Sequence, residues 1–75
     1  MIENQGVSEY LIGKLVSIKA VHGETLVTKC YGKVTYDDSG WRVESQEEKD
    51  SVVWFEIGKI RIIELGDIPT IIYYI

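Results

Sequence analysis

The chain of 75 residues carries a net charge of −4 and a hydrophobic fraction of 45%, values typical of one small folded domain and not of a disordered chain. Its only cysteine, Cys30, excludes an intrachain disulfide and a cysteine metal cluster, and a lone cysteine fits a reducing cytoplasm. No apolar run approaches the roughly 20 residues that span a bilayer, and the first residues lack the regions of a signal peptide, so we expect no membrane association.

The N-terminal segment leads into a first predicted strand. Residues 1–6 are expected to form a loose end, and residues 7–12 one short helical turn with Ser8 as its N-cap. Apolar and polar residues then alternate over residues 13–21, which predicts the first strand.

A turn signal at His22-Gly23 joins this strand to a second one over residues 25–36, because glycine accepts the positive φ of tight turns. Few small domains can use so long a straight strand. We therefore expect this strand to bend or bulge near Gly32.

Two registers are possible for this hairpin. A strict two-residue turn places Val16 opposite Lys29. A bulged three-residue turn places one apolar face of each strand side by side, and we favour it because it sends the lysines outward together. The residues that it aligns are Val16, Ile18 and Ala20 with Leu26, Thr28 and Cys30.

Three more strands are predicted in the second half of the chain. A clear turn signal at residues 37–40 and a charged loop at residues 46–50 bound the first of them. The densest apolar run follows and is interrupted by Gly58-Lys59, which we interpret as a tight turn at the corner of a small barrel. The predicted strands cover residues 41–45, 52–57 and 60–65.

The C-terminal residues, 66–75, turn at Gly66-Asp67 and Pro69 and are then apolar to the end of the chain. Left exposed, such a strand is an aggregation-prone edge, so we expect it to pair with its own barrel, with the N-terminal segment or with another copy of the chain. Short strands without a useful amphipathic helix predict one all-β domain over residues 1–75, a small antiparallel barrel of five to six strands.

The spacing of glycines and apolar residues resembles the first motif of the Sm-like proteins, which belong to the SH3-like small barrels. The run around Gly58 is similar to the second motif of that family. This resemblance covers residues 7–65 and implies an SH3-like or Sm-like barrel with an RNA-binding surface. The matching residues are Gly13, Lys14, Val16, Ile18, Gly23, Gly32, Val34 and Asp38.

Other positions depart from the Sm-like pattern. The stretch from Gly23 to Gly32 is longer than in the family, and Arg42 stands where the family has the asparagine of its uridine pocket. Ile57-Gly58 replaces the Arg-Gly of the second motif, so that Asp38 alone matches a base-contacting position. The resemblance therefore implies the fold more strongly than RNA binding.

Groups that catalyse reactions are few. The single histidine, His22, lies beside a turn glycine, and we interpret it as a surface residue; Cys30 is interpreted as a small apolar residue. The acidic pairs at residues 37–38 and 47–48 consist of neighbours that point in different directions on an extended chain, a poor arrangement for acid–base chemistry or metal binding. The sequence predicts a protein that is not an enzyme and has no cofactor or metal.

Aromatic side chains are numerous for so small a core, and tryptophan and tyrosine are enriched in interface hot spots. With Phe55 and Val43 inward, we expect Trp54 and Trp41 outward. These rings either cover the barrel ends or form a binding surface. The second alternative leads to our first hypothesis, a cytoplasmic module that binds a protein partner and forms a homo-oligomer. Its candidate surface consists of Trp41, Trp54, Tyr31, Tyr73 and Tyr74.

Basic residues concentrate in residues 11–36, which have a local charge of +3, whereas residues 37–50 have −4. A second hypothesis is therefore an Sm-like protein that binds nucleic acid, although the net negative charge disfavours contact with phosphates. A third is a small accessory or inhibitor protein from a mobile element, which size and acidity permit. The candidate nucleic-acid patch consists of Lys14, Lys19, Lys29, Lys33 and Arg42.

Overall fold

The computed structural model describes residues 9–75, which form six β-strands and one short 3₁₀ helix at Ile57–Lys59. The all-β prediction is therefore confirmed. The predicted loose end at residues 1–6 and the N-cap Ser8 lie outside the described residues. The strands are β1 (Leu15–His22), β2 (Thr25–Asp37), β3 (Gly40–Ser45), β4 (Val52–Phe55), β5 (Ile60–Ile63) and β6 (Thr70–Tyr74).

All six strands belong to one sheet in the order β4-β3-β2-β1-β6-β5. Every neighbouring pair is antiparallel except β1 and β6, which are parallel. The sheet is thus mixed and not antiparallel throughout, and within residues 9–75 its edge strands β4 and β5 do not pair to close a barrel. Alternation assigns side chains to faces but carries no information on strand direction, so the sequence did not reveal the parallel pair.

The open sheet nevertheless wraps around a single core. Val53 and Phe55 of one edge strand share this core with Ile60 of the other edge strand, so the two edges curl toward each other. Ile71 of β6 and Val43 of β3 are fully buried between them. Burial of these apolar side chains is the main force that holds the sheet in its curved form.

The β1–β2 hairpin matches neither predicted register in full. Its turn is Gly23-Glu24, and the extra residue is a bulge at Val27 within β2 instead of a third turn residue. Ile18 therefore pairs with Cys30. Beyond the bulge, the side chains of β2 lie on the faces that the favoured register predicted. Lys29 is exposed and lies directly opposite Lys19.

The apolar run over residues 52–65 and the C-terminal tail, residues 66–75, also differ in detail from prediction. A 3₁₀ helix, and not a single tight turn, joins β4 to β5, and both strands are shorter than predicted. The tail forms β6, which pairs with β1 on one side and with β5 on the other. Of the predicted alternatives, pairing with its own sheet is the one observed, so the tail is an internal strand and not an open edge.

Candidate protein-interaction surface

The two tryptophans occupy opposite faces of the sheet. Trp54 is 49% exposed, as predicted from its alternation with Val53 and Phe55. Trp41 is 9% exposed and belongs to the core, so the prediction that it faces outward is wrong. Residues two apart on a strand share a face, and Trp41 therefore lies on the inner face together with Val43.

Trp41 is enclosed by other rings. The ring of Tyr36 lies 4.5 Å from it and that of Phe55 5.9 Å from it, measured between centroids. Phe55 in turn contacts Tyr73 edge to face at 6.5 Å. These aromatic contacts fill the core between β2, β3, β4 and β6, so Trp41 and Tyr73 serve packing more than contact with a partner.

Trp54 is held in place by Arg42, its cross-strand partner on β3. The guanidinium carbon of Arg42 lies 5.1 Å from the centroid of the indole, a cation–π contact. Two nitrogens of this guanidinium donate to the carboxylate of Asp37 at 3.0 Å, and Nε donates to Glu44 at 2.9 Å. The indole therefore rests on a fixed planar cation whose charge is already balanced.

This ion-pair network affects the ionisation of its members. Hydrogen bonds from Arg42, and then one from the backbone amide of Ser39, lower the pKa of Asp37 below its ordinary value. The same bond to Asp37, followed by that to Glu44, raises the pKa of Arg42. Both shifts favour the charged forms, so the support beneath Trp54 persists at neutral pH.

The free edge of β4 lies next to this indole. Ser45 donates its amide to the carbonyl of Ser51, and antiparallel bonds alternate, so the next bonded pairs are Val43 with Val53 and Trp41 with Phe55. Consequently, Val52 and Trp54 direct their backbone N–H and C=O groups away from β3. Among residues 9–75 no further strand covers them.

The remaining aromatic candidates do not join Trp54 in one surface. Tyr74 lies on β6, four positions across the sheet from β4, and Tyr31 lies half-buried on the outer face of β2. The hydroxyl of Tyr73 donates to Glu56 at 3.5 Å, and its ring packs against the core. Only Trp54 combines exposure, a rigid support and an open strand edge.

The predicted basic patch is also divided. Lys19 and Lys29 face each other across β1 and β2, but Arg42 is bound by carboxylates, and the amine of Lys14 lies 5.1 Å from the ring of Tyr10. Lys33 pairs with Glu44 on one side and with Leu15 on the other. Sequence reasoning missed Arg61, since its nearness to Lys19 depends on the unexpected parallel pairing of β1 with β6.

Reactive groups are not clustered in the described part of the chain. Burial raises the pKa of Cys30, which opposes formation of a reactive thiolate. No group of three or more potential metal ligands occurs among residues 9–75. The described residues also contain no helix long and apolar enough to cross a membrane.

Comparisons with known proteins gave no relative for this chain: no protein-family model, curated protein or solved structure matched it. The Sm-like resemblance of the sequence therefore rests only on the residues quoted for it. Function must be argued from the geometry of the described residues, above all from the edge at β4 and the indole beside it.

Proposed function

We propose that this protein is a non-catalytic interaction module that binds a protein partner and associates with other copies of itself through an open strand edge. The observation that carries this proposal is the coincidence, on β4, of unpaired backbone groups at Val52 and Trp54 with an exposed indole. An extended segment of a partner, or the same strand of a second copy, is the natural ligand of such an edge.

β4 is short, at four residues, but its sequence lacks the residue types that usually protect an edge strand against pairing. Natural edge strands are shielded by lysine, proline, inward-facing charge or a bulge, and Val52–Phe55 contains none of these. Val53 and Phe55 are apolar because they face the core, but Trp54 is an exposed aromatic side chain beside unpaired backbone groups. The edge therefore supports binding by strand addition.

Trp54 supplies the side-chain part of the contact. Tryptophans at interface centres often cost about 2 kcal/mol or more when truncated. Because Arg42 and its carboxylates already hold the ring, little rotational freedom is lost when a partner covers it. Backbone bonds along β4 then provide affinity, and the indole provides selectivity for the partner.

Val52→Pro tests the proposal because it removes an N–H that faces the open edge and not one that bonds to β3. We expect the sedimentation coefficient of the wild type to rise with concentration and that of Val52→Pro to stay at the monomer value, with melting temperatures close to each other. Trp54→Ala should weaken association likewise, whereas Leu65→Ala, at an 83% exposed residue away from the edge, should not.

Two results would contradict the proposal. One is a wild-type protein that remains monomeric at all concentrations and, in a pull-down from its native extract, captures the same proteins as Val52→Pro. The other is a Val52→Pro variant that is folded and associates as the wild type does.

A further inference from the structure

A second surface lies on the outer face of the sheet, near the turn of the β1–β2 hairpin. Cross-strand pairing places one residue from each of four neighbouring strands in a line, which we name the basic row. It consists of Lys29, Lys19, Ile72 and Arg61 on β2, β1, β6 and β5. Two residues further along the same face, the apolar row consists of Leu26, Val21 and Tyr74, with the exposed bulge residue Val27 next to Leu26.

The positive charges of the basic row are not balanced by carboxylates of the described residues. Lys19 and Lys29 are directly opposite each other, and like charges in that position destabilise a sheet. Within residues 9–75 neither lysine nor Arg61 has a carboxylate within ion-pair distance, whereas Arg42 and Lys59 each have one. An anionic ligand that lies along the row would relieve the repulsion.

The apolar row is unusually exposed for its composition. Leu26 is 49% exposed, Val27 55% and Tyr74 45%. The bulge at Val27 contributes to this, because it adds an apolar residue to the strand without a cross-strand partner. Cationic and aliphatic groups thus lie side by side on one face.

We propose that this face binds an acidic segment of a partner polypeptide that also carries aliphatic side chains. The inference rests on the proposed function as a protein-binding module and adds a second contact, separate from the β4 edge. Carboxylates of the segment pair with the basic row, and its aliphatic side chains cover the apolar row.

The geometry suits a polypeptide. Neighbouring strands are about 4.8 Å apart, so Lys19 lies one strand from Lys29 and two strands, roughly 10 Å, from Arg61. The apolar row lies two residues away along the strands, about 7 Å. A segment that runs across the strands, with carboxylates along one margin and aliphatic groups along the other, matches both rows.

Nucleic acid fits the same face less well. Binding of single strands relies on aromatic platforms for the bases, and here the groups beside the cations are mostly aliphatic, with Tyr74 as the aromatic member of the row. Charge complementarity together with the aliphatic row therefore favours an acidic polypeptide.

A fluorescein-labelled peptide of 15 residues that alternates Glu and Leu is a suitable probe, with Ser-Leu and Lys-Leu peptides and oligo(U) RNA as comparisons. We expect the Glu-Leu peptide to bind best and more weakly as salt rises. Amide NMR signals of Lys19, Lys29, Ile72 and Arg61 should shift during the titration.

Lys29→Glu separates binding from folding. It turns a repulsive cross-strand pair into an attractive one, so the melting temperature should not fall, while peptide affinity should drop about fivefold or more. Lys49→Glu makes the same charge change in the loop before β4 and should leave affinity nearly unaltered. Leu26→Ser should weaken binding, and Leu65→Ser serves as its control.

Several outcomes would overturn the inference. These are no binding of the Glu-Leu peptide, equal affinity of Lys29→Glu and the wild type, or tighter binding of oligo(U) at the same residues. Shifts confined to Val52–Phe55 would refute this second contact and leave the proposed function of the β4 edge intact.

Discussion

Gly32→Ala tests how closely the strands approach where β2 passes from β1 to β3. Gly32 pairs with Val16 on one side and with Ser45 on the other. A methyl group on Gly32 would overlap the carbonyl of Glu44 and lie 2.9 Å from the Cα of Ser45. Since carbon atoms prefer separations of about 3.5–4.0 Å, the backbones of β2 and β3 would have to move apart by roughly 1 Å.

The cost of this movement follows from two effects. Overpacking costs about 1–3 kcal/mol, and each strained or lost ladder hydrogen bond adds about 1 kcal/mol. We therefore expect Gly32→Ala to lower the free energy of unfolding by about 3 kcal/mol. At roughly 0.05–0.15 kcal/mol per residue, a domain of this size has only about 4–11 kcal/mol in total.

Urea denaturation followed by tryptophan fluorescence measures this loss, because the environment of the buried Trp41 changes on unfolding. With a slope of about 1 kcal/mol per M, the midpoint should fall by roughly 3 M. Gly58→Ala is the matched control, since a methyl group there meets no atom within 4 Å. A Gly32→Ala midpoint equal to that of Gly58→Ala would refute the reasoning.

Three further predictions concern the core and the ionisable groups. Ile71→Ala should lower the free energy of unfolding by about 2–5 kcal/mol in the same urea assay, because Ile71 is fully buried in an internal strand. Because the pKa of Asp37 is lowered in the folded state, its ionised carboxylate stabilises the fold at pH values above the ordinary aspartate pKa. This stabilisation is lost as the pH falls through the lower, folded-state pKa. The acid unfolding curves of wild type and Asp37→Asn should therefore converge at low pH. A hydrogen bond to Glu64 raises the pKa of Tyr10 to about 12, and ultraviolet titration of Glu64→Gln should return it toward 10.

Local alternation was sufficient to predict the strands and the outward position of Trp54. Val53 and Phe55 flank Trp54, and burial of these two residues leaves the indole on the outer face. The same rule, applied to Val43, places Trp41 inward; the opposite interpretation misjudged the spacing. For side chains within one strand, the sequence thus holds enough information.

Relations between distant strands were beyond such reasoning. The line from Lys19 to Arg61 exists because β6 lies between β1 and β5 and runs parallel to β1. No local pattern in residues 60–75 specifies either the neighbour or the direction, since both depend on how the whole sheet packs around its core. The open β4 edge has the same origin, because it is defined by the absence of a pairing strand within residues 9–75.

Amide hydrogen exchange at several protein concentrations tests the use of the β4 edge most directly. Val53 and Phe55 bond to β3 in the single chain and should be protected at every concentration. Val52 and Trp54 face the open edge and should exchange quickly when dilute, then become protected as copies associate or when a partner is added. Exchange at Val52 and Trp54 that stays fast at all concentrations and with partner present, or that is already slow in the dilute monomer, would contradict the account.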